Sequence, residues 1–239
     1  MHPSWIRAPI LESPHAFTTR AGGVSRGPYA TLNLSLGVGD VPEHVAENRR
    51  RVLAAFGNPP SFGLDQVHGH RVVVAEGPGV AEGDGAVTDV PGLLLRVSTA
   101  DCYPLLFEDP DTGAVGAAHA GWRGVAAGIV ENLVGTMREA FGTEPARLRV
   151  AIGPGICGRC YQVGPEVARA VGGFAVPDPR AEGRFLLDLA AAIEARLRAL
   201  GVRHLWRANR CTFEDEGLFS YRRQGPRSGR MWGVIQRAL

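Results

Sequence analysis

Short apolar runs of strand length interleave irregularly with amphipathic helical patterns along this chain. That mixture predicts an α+β fold of packed mixed β-sheets flanked by helices, because a doubly wound sheet would show regular strand–helix alternation. The chain has 239 residues, 45% of them hydrophobic and 21% charged, which suits one globular domain over residues 1–239 with a sizeable core. The same composition excludes disorder as the dominant state. No repeat, low-complexity tract or long linker divides the chain.

The elements follow in chain order. Residues 15–39 are rich in Gly, Ser, Thr and Asn and predict short strands and turns. Glu43–Phe56 predicts a helix, with Pro42 near its start, Val45, Val52 and Leu53 as an apolar stripe, and Gly57 as a stop. Arg71–Ala75 and the apolar run Gly92–Ser98 predict strands, the second buried. Ala114–Ala118 predicts another buried strand. It leads through His119 into one long helix whose Val125, Ile129, Leu133 and Met137 share a face at four-residue spacing. Leu148–Ile152 predicts a strand, Phe185–Leu200 a helix, and Val202–Arg207 and Met231–Arg237 closing strands.

Charge and cysteine usage narrow the function. The net charge is +2, which gives no reason to expect a nucleic-acid partner. No apolar run reaches the roughly 18 residues of a membrane span. The first residues show no basic segment followed by a long apolar one, and four cysteines are too few for a secreted disulfide framework, so the expected location is the cytoplasm. All 26 basic residues are arginine. Schiff-base lysine chemistry and a Walker-type phosphate lysine are therefore excluded, and an anion site must use guanidinium, backbone N–H or hydroxyl groups.

Chemistry-bearing residues gather at glycines and strand ends. His68, in Asp65-Gln-Val-His-Gly-His70, lies in a loop. Cys102 follows the buried run as Ser98-Thr-Ala-Asp-Cys, and His119 follows the next strand. If those two strands are neighbours in one sheet, Cys102 and His119 emerge together. Two imidazoles and one thiolate make a sensible zinc set that leaves a fourth position open for water or substrate. The same residues also suit a buried thiol and hydrogen-bonded core histidines, and the pattern alone leaves both open. His70 completes a His-x-His pair of the kind copper uses, but reads better as a surface or supporting residue.

Three further motifs carry alternatives. Cys157-Gly-Arg-Cys160 lies in a glycine-rich loop with no second cysteine pair, so no essential thiol chemistry is expected there. Gly121 and Gly124 fit either an anion at a helix N-terminus or a tight strand-to-helix turn. Thr18-Thr-Arg20 and Phe219-Ser-Tyr-Arg-Arg223 each place hydroxyl and guanidinium groups together, with Ser220 and Arg222 on one face if that segment is extended.

Taken together, Phe17-Thr-Thr-Arg-Ala-Gly-Gly-Val-Ser25, Gln66-Val-His-Gly69, Asp84-Gly85, Thr99-Ala-Asp-Cys102, His119-Ala-Gly-Trp-Arg-Gly124, Ile152-Gly-Pro-Gly155 and Phe219-Ser-Tyr-Arg-Arg223 are informative. The chain resembles the bacterial purine nucleoside phosphorylase family, also labelled laccase-domain or multicopper polyphenol oxidase-like, which includes a peptidoglycan editing factor. The resemblance implies a fold similar to toxin-type cysteine hydrolases. It implies zinc held by His68, Cys102 and His119, which are also the catalytic positions. It implies phosphorolysis of adenosine, inosine, guanosine and methylthioadenosine, and deamination of adenosine. With the charge argument, it points to Arg20, Ser220 and Arg222 as the phosphate-binding and substrate-binding residues. Asp101, next to a ligand, is at most a supporting or acid–base group.

The oxidase label fails a count. A blue multicopper enzyme demands roughly ten histidines beside its cysteine, and this chain has seven. Adventitious copper in the two-histidine, one-cysteine site still allows weak oxidation in vitro. The remaining alternatives are a hydrolase editing a cell-wall precursor, with Cys102 as nucleophile and His119 as base in one variant, and a metal-sensing scaffold without turnover.

Overall fold

The structure is a computed structural model that describes residue 2 and residues 4–239. Met1 and Pro3, part of the segment read for a leader, lie outside the described residues. In chain order the elements are β1 (His15–Phe17), α1 (Pro42–Ala54), β2 (Ser61–Asp65), β3 (Val72–Val74), β4 (Gly79–Glu82), β5 (Gly85–Thr88), β6 (Leu94–Thr99), β7 (Tyr103–Glu108) and β8 (Val115–Ala120). They continue with α2 (Trp122–Ala127), α3 (Ile129–Phe141), β9 (Arg149–Ile152), β10 (Gln162–Val163), α4 (Pro165–Val171), β11 (Ala175–Pro177), β12 (Phe185–Leu187), α5 (Leu189–Ala199), β13 (His204–Arg207), α6 (Tyr221–Gln224) and β14 (Met231–Gln236).

Two mixed sheets dominate, one of five strands in the order β1-β14-β6-β2-β4 and one of six in the order β13-β9-β7-β8-β5-β3. The α+β expectation therefore holds. Strand alternation explains the layering. On the six-stranded sheet, Leu105, Phe107, Ala118, Val150 and Ile152 face a core shared with α2, α3, α4 and α5. The intervening Leu106, Ala117 and Ala151 face the other way and pack with Phe17, Leu95, Val97 and Ile235 of the five-stranded sheet. The outer face of that second sheet is covered by α1, where Val52 meets Leu94, Trp232 and Val234. Every residue of β7 and β8 is buried, as a strand packed on both faces requires.

Several predicted elements change form. The single long helix after β8 is two, α2 and α3, separated by Gly128 at φ +97°. That left-handed residue ends one helix and begins the next. The apolar face survives the break: Val125, Ile129, Leu133 and Met137 are all fully buried. The helix predicted over Phe185–Leu200 opens instead with strand β12, and α5 starts only after Asp188, whose carboxylate caps the Ala191 N–H at 2.9 Å. The segment at Ser220–Arg223 is not extended. Ser220 caps the short helix α6 by accepting from the Arg223 N–H. Strands β2, β4, β5, β7, β10 and β11 and helix α4 have no counterpart among the elements the sequence predicts.

Candidate metal and substrate site

The strand preceding Cys102 is not the neighbour of the strand that carries His119. β6 belongs to the five-stranded sheet and β8 to the six-stranded one. The partner of β8 is β7, which begins directly after Cys102 and pairs antiparallel with it, Tyr103 to Ala120 and Pro104 to His119. Cys102 and His119 therefore emerge at adjoining ends of paired strands, both on the alternate face that looks between the two sheets. The loop after β2 brings His68 to the same corner. The ligand atoms of His68, Cys102 and His119 lie within 4.8 Å of one another, and the two imidazoles meet edge to face with centroids 4.7 Å apart. The three side chains therefore converge at one corner of the fold.

Asp84 organises this corner. It is fully buried, and it accepts the backbone N–H groups of Val67, His68 and Gly69 at 3.2, 3.0 and 2.6 Å. Those bonds hold the His68 loop, in which His68 itself sits at φ +59°. The same carboxylate bonds His119 Nδ1 at 2.8 Å. Nδ1 is the protonated nitrogen in that contact, which leaves Nε2 as the lone pair for a cation. Burial opposes ionisation of Asp84, but the His119 and N–H contacts outweigh it and hold its carboxyl below the usual range. The sequence reading quoted Asp84-Gly85 without assigning the aspartate a role. The available signal was a lone acidic residue between glycines, next to a strand.

Thiol and imidazole favour each other's charged forms. Burial works against the Cys102 thiolate, but the His119 charge and hydrogen bonds from both histidines outweigh it, so the thiol is lowered to about 6. Burial likewise works against protonated His119, and the Cys102 charge with the Asp84 bond raises it to about 9. A thiolate next to a cation-stabilising pocket is the state a metal ligand requires. The donor set thus fits a soft or borderline divalent metal.

The glycines of His119-Ala-Gly-Trp-Arg-Gly124 serve close approach. A Cβ at Gly121 would stand 2.9 Å from Cys102 Sγ and 3.3 Å from His68 Cδ2, and one at Gly124 would meet the Gly69 carbonyl at 2.7 Å. These close contacts support the tight strand-to-helix turn. His70 is exposed and offers its backbone carbonyl to Asn132 Nδ2 at 2.9 Å.

A cavity of about 870 Å³ opens from the trio. Its walls include the aromatic rings of Trp122, Tyr161 and Tyr221 and the guanidinium groups of Arg123, Arg222 and Arg230. Asp101, at φ +91°, holds one wall in place by accepting from Thr212 Oγ1 and the Arg222 N–H, each at 2.6 Å. Arg222 crosses the Tyr161 ring at 5.4 Å and donates to the Gln162 carbonyl at 2.8 Å.

The structure separates the three residues expected around phosphate. Arg222 lines the cavity. Arg20 and Ser220 are not among its lining residues. Arg20 donates to the Ala30 carbonyl at 2.7 Å and lies over the Phe219 ring at 5.0 Å. Ser220 is fully buried and its hydroxyl caps α6, the helix that carries Arg222. Arg123 and Arg230, for which the sequence predicts no phosphate role, line the cavity with Arg222.

A second cluster contains the Cys-x-x-Cys. The ligand atoms of Cys157, Cys160, Cys211 and Glu214 also lie within 4.8 Å of one another. No other group of three or more such side chains is found among the described residues.

Comparison with known proteins places the whole assembly. Residues 14–238 match the family model described as multi-copper polyphenol oxidoreductase laccase. This chain belongs to that family. The laccase-domain relatives include a protein of Deinococcus radiodurans named purine nucleoside phosphorylase, 52% identical, with 96% of this chain and 91% of the relative covered. Another, from Escherichia coli and named purine nucleoside phosphorylase YfiH, is 41% identical, with 91% of each chain covered. The laccase-domain fold is seen in the crystal structure of YlmD from Geobacillus stearothermophilus, which superposes with a TM-score of 0.91 at 36% identity, covering 98% of this chain and 96% of that one. As in the sequence reading, no helix among the described residues is long and apolar enough to cross a membrane.

Proposed function

We propose that this protein is a zinc-dependent purine nucleoside phosphorylase that also deaminates adenosine, with His68, Cys102 and His119 as ligands and catalytic centre. The observation that carries the reading is one cavity in which the thiolate–imidazole trio, three aromatic walls and three arginines converge. The names of the relatives point to the same substrate class.

The cavity suits a nucleoside in size and character, since small-molecule sites are typically 300–1,000 Å³ with apolar walls and a few placed polar groups. Trp122, Tyr161 and Tyr221 offer flat faces to a purine. Arg222, with Arg123 and Arg230, supplies the charge-assisted contacts that a phosphate nucleophile needs in a chain without lysine. Arg20 and Ser220 act on that site through α6 and the Phe219 segment. When bound, zinc supplies Lewis-acid polarisation of an oxygen or nitrogen. In phosphorolysis phosphate bonds to the anomeric carbon of ribose as the glycosidic C–N bond breaks and the purine leaves with a proton; in deamination water adds to the amine-bearing purine carbon and ammonia leaves. His119, fixed by Asp84, keeps Nε2 directed at the reacting region in both.

Copper is the rival metal, by the family's description. Only two of the seven histidines belong to a metal-capable group among the described residues, and a three-copper cluster demands many more imidazoles. His15, for example, is a core residue whose ring bonds the Ala8 N–H and the Ser13 carbonyl. The test is mass-spectrometric product analysis with adenosine, with and without inorganic phosphate. Adenine and ribose 1-phosphate in the phosphate arm, and inosine in both, are the expected products. Adenosine recovered intact in both arms, from protein carrying about one zinc in the trio, overturns the reading.

A further inference from the structure

The Cys-x-x-Cys loop lacks a second cysteine pair in sequence, and the fold supplies a substitute. Cys211-Thr-Phe-Glu214 has the same two-residue gap, with a carboxylate in place of the second thiol. The two short segments are registered by a parallel bridge between Gly155 and Cys211, with the Thr212 N–H donating to the Gly155 carbonyl at 3.1 Å. From that frame the Cys157 N–H donates to Cys211 Sγ at 3.3 Å, and Cys160 Sγ contacts Glu214 Oε1 at 3.4 Å.

We propose that Cys157, Cys160, Cys211 and Glu214 form a second, structural zinc site. A tetrahedral ion with Zn–S arms of ~2.3 Å draws its sulfurs to ~3.8 Å from one another. The four donor atoms stand within 4.8 Å without an ion, so a contraction of about 1 Å or less completes the site. Four protein ligands leave no open position, which is the mark of a structural centre. Charge also fits. Three thiolates and a carboxylate carry four negative charges, and a dication leaves two. Arg159, Arg207 and Arg210 line the same small cavity, and Arg159 Nη2 donates to both Glu214 oxygens, Oε2 at 2.9 Å and Oε1 at 3.2 Å, while Oε1 also contacts Cys160 Sγ.

The site ties together the two segments that wall the substrate cavity. Tyr161 directly follows Cys160, and Thr212 directly follows Cys211 and bonds Asp101. An ion there fixes the Tyr161 wall relative to the Arg222 wall without touching substrate.

The test separates the two centres. A Cys102→Ala/His119→Ala variant, which removes the trio, is purified from zinc-supplemented medium, dialysed and analysed for metal. It is expected to retain about one zinc per chain, against about two in the unmodified protein. Adding Cys157→Ser and Cys211→Ser is expected to remove it. Glu214→Gln keeps all three sulfurs and changes an exposed side chain. In the trio-less background it is expected to release zinc to a colorimetric chelator at least tenfold faster. Cobalt-loaded trio-less protein is expected to show thiolate-to-cobalt charge-transfer absorption. A folded trio-less variant that carries no zinc overturns the proposal, and does so without bearing on the trio's own function. So does a Cys157–Cys211 disulfide found by mass spectrometry in metal-free protein freshly isolated without reductant.

Discussion

The trio is assembled from three places far apart in sequence: a loop after β2, the turn before β7 and the end of β8. The cysteine–glutamate cluster comes from two short segments, each with its ligands two residues apart. The trio opens on a cavity of about 870 Å³, whereas the cluster faces one of about 190 Å³. Ligand geometry in the first is enforced from outside by Asp84, which holds one ligand loop and one ligand ring at once. In the second it is enforced by backbone spacing. The difference teaches what each could do: three donor side chains on a wide cavity would leave a bound ion an open position, and four on a narrow one would leave none.

Removing a ligand breaks that contrast most directly. His119→Ala is expected to reduce phosphorolysis and deamination by on the order of 10³-fold or more, since several kcal/mol of charge stabilisation disappear with the metal. Cys157→Ser with Cys160→Ser is expected to keep turnover within about threefold while lowering the melting temperature by several degrees, roughly 2–4 °C per kcal/mol for a chain this long. Steady-state kinetics and calorimetry on both variants check the pair. Complete loss of turnover in a folded cysteine variant would make the two centres functionally alike.

Asp84→Asn sharpens the comparison at one remove. Losing the carboxylate behind His119 is expected to weaken zinc at the trio by about 10–100-fold and leave the other cluster's zinc in place. Chelator competition resolves the two populations.

The arginines come next. Arg222→Ala is expected to cost phosphate-dependent adenine release about ten- to hundredfold, the value of a lost charge-assisted contact. Inosine formation, which uses water, should fall much less. Arg20→Ala should have the smaller effect of the two, because its guanidinium serves the Ala30 carbonyl and the Phe219 ring. Rates of both reactions in each variant give the ratio. An Arg222→Ala enzyme with unchanged phosphate dependence would remove Arg222 from the phosphate site.

Acidity distinguishes the thiols of the metal-free protein. Cys102, lowered to about 6, should alkylate with iodoacetamide at a rate that rises through pH 6. Cys160, pushed up first by burial and then by its hydrogen bond with the neighbouring Cys157, should need a higher pH than Cys102 to react. The sign of the stability effect follows. The lowered Cys102 thiol contributes stability that is present above the ordinary thiol range and lost as pH falls through about 6. The raised His119 contributes stability present below the ordinary imidazole value and lost as pH rises through about 9. Between the ordinary imidazole value and about 9 the thiol contribution grows with pH as the imidazole contribution declines, so the two nearly offset there in metal-free protein, and peptide mapping with thermal melts across pH 5–10 reads both effects. The smallest effect belongs to His70→Ala, within about 0.5 kcal/mol, because only its backbone carbonyl is used. A denaturant titration checks it.

Legibility followed the range of the interactions. The buried runs that became β6 and β8 were readable because small or apolar residues dominate them, with polar exceptions that include Arg96 and Ser98 of β6 and His119 of β8. The break at Gly128 was not, because Val125, Ile129, Leu133 and Met137 keep their spacing across it. The start of α5 was signalled by Asp188, a capping residue overlooked beside the apolar Phe185-Leu-Leu187. β7 went unread although all six of its residues are buried. Missing it tied the expectation for Cys102 to the preceding strand, whereas the neighbour that brings residues 102 and 119 together is β7.

The sequence by itself determined the residue types available for chemistry. There are seven histidines, four cysteines and no lysine, which leaves guanidinium groups as the side-chain cations for an anion. It also determined the local patterns that make strands, helices and tight glycine turns, because those depend on neighbours within a few residues. Only the tertiary structure decided which of those residues meet. Asp84 reaches both His68 and His119, Cys211 and Glu214 complete the set begun by Cys157 and Cys160, and of Arg20, Ser220 and Arg222 only the last lines the cavity. The Asp84 and cysteine–glutamate meetings depend on strand order and register between residues 16 to 54 apart, and no local pattern along the chain encodes that order.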